Sequence, residues 1–260
     1  MAAPPVAAEV RLDGAVEQGG LVVGRVAPGA AVVLDGRPLR VDADGGFVFG
    51  LAREATEAVL AVRHPDGREE SRRLTVAKRD WPVQRIDGLP PRQVTPDEQA
   101  LARIRAEAAL IADRRDRDSP APWYRSGFRS PAEGRVSGVF GSQRVLNGEP
   151  RAPHSGVDVA APEGSPVTAA ADGVVTLAHP DMFFTGVTVM IDHGHGLASV
   201  YAHLKDAAVR EGQAVRRGEV IGSVGATGRA TGPHLHWGVS WFDVKLDPET
   251  VLGVLPGAGP

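Results

Sequence analysis

His154-Ser155-Gly156-Val157-Asp158, Tyr201-Ala202-His203-Leu204 and His234-Leu235-His236 punctuate the stretch 154–236. Short apolar or alternating runs surround them, at 157–160, 167–170, 173–177, 187–191, 197–201, 220–224 and 235–239. Glycine- and proline-rich turns separate the runs, Pro162-Glu163-Gly164-Ser165-Pro166 among them. Runs of this length between such turns read as strands, and hardly a helical period appears. Residues 130–251 are therefore expected to form a domain of antiparallel β-sheet.

The polar residues of these motifs suit a metal. A catalytic zinc usually takes three protein ligands from His, Asp and Glu and keeps a further position for water. Residues i and i+2 of a strand point to one side, so His234 and His236 can face a common groove, roughly 6.6 Å apart along the strand. Only one of them needs to touch the ion; the other can then meet the water or the developing oxyanion. Asp158 follows His154 by four residues, and the Ser-Gly-Val link lets both reach one ion. An Asp ligand lowers the net charge of the site and tempers the Lewis acidity of the metal.

Each motif alone is common, but the combination is specific. With Gly138-Val139-Phe140-Gly141, 169–173, 191–194, 212–218, 225–228 and 232–236, the chain resembles the lysostaphin-type, or LytM-like, zinc metallopeptidases over about 130–250. The resemblance implies one zinc ion held by His154, Asp158 and His236. It implies catalytic roles for His203 and His234, and a substrate in the peptide crosslinks of bacterial peptidoglycan, cut as an endopeptidase. Some relatives lack one of the five residues and act as non-catalytic regulators of other wall hydrolases; this chain has all five. No Glu stands in a His-Glu-x-x-His arrangement, so a histidine must take the proton, and an unperturbed pKa near 6.5 suits it. Two alternatives stay open: a cell-wall binding regulator of another hydrolase, and a peptidase of proteins. The scissile bond is open too, with the lack of an appended wall-binding domain tilting toward a direct crosslink over a glycine bridge.

Upstream, residues 8–78 read as a small β-sandwich. Apolar runs at 22–26, 31–34, 40–41, 47–49, 59–62 and 72–76 are separated by Pro28-Gly29, Asp35-Gly36, Asp44-Gly45-Gly46 and Pro65-Asp66-Gly67. Asp-Gly between apolar runs is a strong hairpin signal. The pattern resembles immunoglobulin-like or carboxypeptidase-regulatory-like sandwiches, with a spacer or cap favoured over a binding module. Residues 79–129 read as an extended, proline-punctuated linker carrying one helix at about 95–117. Thr95 can cap it and Pro96 fits its first turn. Leu101, Ile104, Ala108 and Ile111 make a narrow stripe that needs one packing neighbour. The fold expected is thus mainly β, with two domains, each having its own core.

Composition narrows the function classes. A net charge of -3 gives no case for nucleic acid. The absence of cysteine excludes disulfides, thiolate metal sites and a cysteine nucleophile. No apolar run is long enough to span a bilayer. The start, Met1-Ala2-Ala3-Pro4-Pro5, has no secretory signal and fits either a cytosolic start or a mature terminus after cleavage. A peptidoglycan substrate places the protein in the periplasm or outside the cell, with the signal removed. Among the remaining histidines, His64 and His179 are expected at the surface, and His193 and His195 in an exposed turn without function. Phe183 and Phe184 either line the groove or pack beneath their loop. Arg144 is a candidate for the groove rim, meeting a carboxylate of the stem peptide. The tail after Leu252 is expected to fray.

Overall fold

The computed structural model describes residues 10–88 and 97–255. Its first part is two facing antiparallel sheets. One holds β1 (Arg11–Asp13), β2 (Leu21–Arg25) and β5 (Gly46–Gly50). The other holds β3 (Ala31–Leu34), β4 (Arg37–Leu39), β6 (Glu57–Arg63) and β7 (Glu69–Thr75), in the order β4-β3-β6-β7. Asp35 and Gly36 both have positive φ (47° and 83°), as a two-residue hairpin turn between twisted strands requires. The strand expected at 40–41 starts three residues earlier, because that tight turn leads straight into Arg37. Alternate residues Val32, Leu34, Leu60 and Val62 are buried with Val22, Phe47 and Phe49.

The second part carries β9 (Arg135–Gly138), β12 (Val157–Ala160), β13 (Pro166–Thr168), β14 (Gly173–Met182), β15 (Gly186–Gly194), β16 (Leu197–Ala207), β17 (Ala214–Val215), β18 (Val220–Val224), β19 (His234–Trp241) and β20 (Val244–Leu246). They build a ten-stranded sheet whose main path is β17-β14-β15-β16-β19-β12-β9. Thus β19, close to the end of the described chain, lies between β16 and β12 in the middle of the sheet. Strand β16 forks. Leu197–Ala202 pair with β19, whereas Leu204–Ala207 pair with β18. His203 stands at the fork with φ +61°, its N–H donating to Thr185 O at 2.8 Å.

Four expectations are corrected. The linker is not merely extended: β8 (Val83–Ile86) pairs in parallel with β10 (Gln143–Leu146), which also pairs with β11 (Glu149–Pro150). Trp81 seats it, its ring lying where a Cβ on Gly141 would come within 2.1 Å and meeting Phe140 edge-on. Second, the two parts do not keep separate cores. One buried apolar cluster runs from Val10 to Val251, and a Cβ on Gly50 would approach Leu246 to 2.6 Å, so β5 rests directly on β19 and β20. Third, the tail is not frayed at 252: helix α2 (Pro248–Val254) follows β20, N-capped by Asp247, which Arg79 also binds at 2.7 Å. Residues 256–260 lie outside the described residues.

The fourth concerns the long helix. Helix α1 spans Glu98–Arg115, shorter than expected, and its cap is Asp97, whose side chain accepts from Ala100 N–H. Thr95 and Pro96 lie outside the described residues. Ala108 is exposed, and the helix packs through Leu110 and Ile111 onto Leu177, Met182, Met190 and Val200. Arg103 reaches Asp181 and Glu107 accepts from Phe183 N–H at 2.8 Å, so α1 braces the β14–β15 loop.

Candidate active site

Three adjacent strands position the site. Asp158 on β12 stands opposite His236 on β19, and His236 in turn stands opposite Ala202 on β16, next to His203. His234 is two residues before His236 on the same face. His154 enters from the loop before β12 and is buried, at 2% exposure. Gly138 on β9 backs Asp158 so closely that a Cβ there would lie 2.4 Å from Asp158 Oδ2. The neighbouring strand must therefore be bare for the carboxylate to sit.

His154 Nε2, Asp158 Oδ1 and His236 Nδ1 form a triangle with edges of 3.0, 2.8 and 3.0 Å. Tetrahedral ligands at about 2.0–2.1 Å from a zinc-sized ion stand about 3.3 Å apart, so the triangle has nearly the required size. Its protons do not suffice to hold it. His154 Nδ1 lies 3.0 Å from Val139 O, which only accepts, so the ring proton is there and Nε2 presents a lone pair. The edge from Nε2 to Asp158 Oδ1 then sets lone pair against anion, an arrangement that suits a bound cation. The residues fit a divalent metal, and these three make up the group of donors found among the described residues.

Electrostatics agrees. Burial by itself would raise the Asp158 pKa, but the hydrogen bond and charge interaction with His236 hold it well below the carboxylate range. Asp158 stays anionic. Burial lowers the pKa of His236. Burial, reinforced by His236, pushes His203 down to about 4, so it is neutral at pH 7.

The other two imidazoles point the same way. His203 Nδ1 lies 2.9 Å from Thr227 O, and His234 Nδ1 lies 2.8 Å from Gly232 O. Each carbonyl fixes the proton on Nδ1 and leaves Nε2 able to accept one. The rings are 4.7 Å apart, and His234 Nε2 is 4.0 Å from Asp158 Oδ1, beyond the triangle's edges. The five residues singled out in the sequence thus surround one point.

Arg144 Nη2 lies 3.3 Å from Asp158 Oδ2, so this arginine reaches past the groove rim to the carboxylate itself. Phe184 lines the groove, whereas Phe183 turns toward Arg103. Sequence reasoning missed three groove residues. Arg229 directly follows Gly225-Ala226-Thr227-Gly228, a signal that was available; Arg151 and Gln84 had none, since Gln84 arrives with the unforeseen strand β8.

The bystander histidines are not where their turns suggested. His193 and His195 are buried, at 0% and 3% exposure. His193 Nδ1 donates to Asp172 O at 2.7 Å and its Nε2 meets Ser199 Oγ at 2.7 Å. The chain at Ser119–Pro122 covers this turn: a Cβ on Gly194 would lie 1.7 Å from Ala121 O, and His195 Nε2 lies 3.2 Å from Pro120 O. His64 is also buried, 3.7 Å from Glu70, and His179 is half-buried. At the His193–His195 turn, a distant segment folds over a locally polar turn.

Residues 152–248 match the model of Peptidase family M23. Over 98 residues, 38% of this chain, it is 54% identical to the DD-carboxypeptidase/endopeptidase Mpg of Neisseria meningitidis serogroup B. Over 127 residues, 48% of this chain, it is 40% identical to the peptidoglycan DD-endopeptidase ShyC of Vibrio cholerae serotype O1. These matches cover 22% and 29% of the relatives, so the chain spans about a quarter of their length. A crystal structure of an M23 peptidase candidate from Pseudomonas aeruginosa superposes with a TM-score of 0.72 and 33% identity, covering 92% of this chain and 96% of that one. Because that likeness takes in both β regions as well as the groove, the chain belongs to peptidase family M23.

Proposed function

We propose that this protein is a zinc-dependent endopeptidase that hydrolyses peptide crosslinks of bacterial peptidoglycan, acting in the periplasm or outside the cell. The observation that carries the reading is the convergence of His154, Asp158 and His236 on one cation-sized point, with Nε2 of both His203 and His234 turned toward it. The names of the Neisseria and Vibrio relatives support the substrate. No helix among the described residues is long and apolar enough to cross a membrane.

His154, Asp158 and His236 hold the zinc. When bound, the ion supplies Lewis acidity to the scissile carbonyl and to a water molecule. His203 and His234 do the proton work. With Nδ1 of each tied to a backbone carbonyl, either Nε2 can accept the one proton given up by the attacking water, and the imidazole that takes it returns it to the leaving amine. Until that proton is returned, the Nε2–H of that one imidazole can donate to the developing oxyanion. The low pKa of His203 keeps it neutral and ready to accept before attack. Arg144 holds the second oxygen of Asp158, which leaves Oδ1 for the ion. A complete set of five groups favours this enzyme over a silent wall-binding regulator.

The test is digestion of purified sacculi by the zinc-loaded protein, with released peptides identified by mass spectrometry. Soluble crosslink-cleaved products that vanish on chelation are expected. Intact sacculi in the presence of one bound zinc per chain would overturn the reading.

A further inference from the structure

Loop 139–142, between β9 and β10, holds His154 at both its main chain and its ring. Gly141 N–H donates to His154 O at 2.9 Å, and His154 N–H donates to Ser142 O at 2.9 Å. Val139 O accepts from Ser142 Oγ at 3.0 Å and lies 3.0 Å from His154 Nδ1. That one carbonyl therefore decides which nitrogen of His154 keeps the proton and which one presents a lone pair. The loop also continues directly from Gly138, against which Asp158 rests.

What fixes the loop comes from far upstream. Arg53, in the connection from β5 to β6, donates from Nε to Gly141 O at 2.9 Å. Gly19, between β1 and β2, lies so near Phe140 that a Cβ there would come within 2.6 Å of the ring. Trp81 meets the same ring edge-on, with centres 5.8 Å apart, and presses on Gly141. Phe140 is buried as a result. Two guanidinium carbons approach the Trp81 ring centre, that of Arg53 at 4.9 Å and that of Arg79 at 4.7 Å. Arg79 is anchored in turn, donating to Gln18 O at 3.3 Å and to Asp247 at 2.7 Å. Next to Trp81, Pro82 O accepts from Gln143 N–H at 2.8 Å, beside the β8–β10 pairing that sets Gln84 opposite Arg144.

The geometry of His154 is thus set by a part of the chain that supplies no ligand. Partners outside a ligand set orient its rings, and losing one costs about 10- to 100-fold in metal affinity or activity. We infer that Arg53 and Trp81 are positioning residues of the metal centre: the N-terminal sandwich and the segment behind it lock loop 139–142, and through that loop His154. The inference rests on the metal reading of His154, Asp158 and His236. It gives the sandwich a task that a spacer lacks, because a sandwich tethered loosely to the same groove would leave the position of Val139 O unset.

Arg53→Met and Trp81→Leu test this in the full chain. Arg53→Met keeps an apolar stem beside Trp81 and removes the donor to Gly141 O. The zinc dissociation constant, read by competition with a chromophoric chelator, should rise about 10-fold in each variant. The ring of His154 gives a second readout in the metal-free protein. Long-range proton–nitrogen NMR should find its proton on Nδ1 in the parent and divided between the two nitrogens in the variants. Leu60→Val is the comparison: it trims the sandwich core on β6, and should lower stability in urea while leaving zinc affinity and the His154 tautomer as in the parent. Parental zinc affinity in either variant would overturn the role given to that residue, and in both the inference as a whole. An equal loss of affinity in Leu60→Val would overturn it too, because the effect would then follow overall stability. Should Trp81→Leu fail to fold, Arg53→Met decides. A parent that takes up no zinc sinks the metal reading, and the tautomer measurement then judges the positioning of His154 by itself.

Discussion

The chain contains two His-x-His pairs that look alike in sequence and end differently in the fold. His193-Gly194-His195 closes β15 and turns into β16, whereas His234-Leu235-His236 opens β19. In the second pair the strand geometry holds, and both imidazoles face the groove. In the first, Gly194 and His195 both have positive φ (84° and 53°), so the alternation is lost and the rings go to separate partners. His193 joins Asp172 O and Ser199, and His195 packs edge-on against Tyr124 at 5.3 Å. A pair of imidazoles becomes a candidate site only when the backbone aims them at the same solvent-reached point. The other pair is mortar between a turn and the segment that covers it.

The sharpest way to break this contrast is mutation within the second pair. His236→Ala should abolish both metal binding and hydrolysis. His234→Ala or His203→Ala should keep one zinc per chain and lower kcat by about 10²–10⁴-fold, the usual range for removing a proton-transfer group. Metal analysis alongside sacculus digestion reads both, and zinc loss in His234→Ala with zinc retention in His236→Ala would reverse the assignment.

The first pair should show up in stability instead. His193→Leu leaves Asp172 O and Ser199 without their partner, at a cost of about 2–4 kcal/mol at pH 7. Urea unfolding of the metal-free protein measures it; a variant as stable as the parent would mean the hydrogen bonds contribute nothing net.

The same variant carries a pH signature. Burial lowers the His193 pKa from 6.5 to about 4 in the folded protein. As pH falls below 6.5 the unfolded chain takes up the proton first, so this histidine's contribution is full above 6.5 and is lost as pH drops toward 4. That loss is about 3 kcal/mol at 1.36 kcal/mol per unit. His203 titrates in both proteins and cancels in the difference. The gap between parent and His193→Leu should therefore nearly close by pH 4, and a constant gap would show that His193 is not held neutral. The smallest effect belongs to His195→Asn. Asn tolerates positive φ, so about 1 kcal/mol is expected, with zinc content unaltered.

These contrasts also mark what could be read before the fold was known. The turn at Asp35-Gly36 and the alternation in 59–62 and 235–239 depend on neighbours in sequence, and they revealed strands at nearly the right positions. The five groove residues sit in short motifs for the same reason. What escaped depends on distant segments. Nothing in Val83-Gln84-Arg85-Ile86 announces a parallel partner sixty residues on, and that pairing delivers Gln84 to the groove. The burial of His195 is imposed by Ser119–Pro122, that of His193 by Phe128, Asp172 and Ser199, and that of His64 by its own sandwich. Arg229 follows a glycine-rich motif that could have drawn attention and Arg151 has no such signal, and the Phe184 loop and β10 bring both to the groove beside Arg144.

The central place of β19 has a kinetic consequence. Its residues are synthesised after β12 and β16, yet they pair on one side with β12 and on the other with β16. Asp158 and His236 are joined across 78 positions. A chain that emerges N-terminus first can form the sandwich and the β14–β15–β16 meander early. The gap between β12 and β16 stays open until residue 241 is available, and closing it is a slow, high-contact-order step. All five groove residues come together in that one step. A partly folded chain therefore lacks the assembled triangle of His154, Asp158 and His236, and uptake of a metal there would report on the completion of folding.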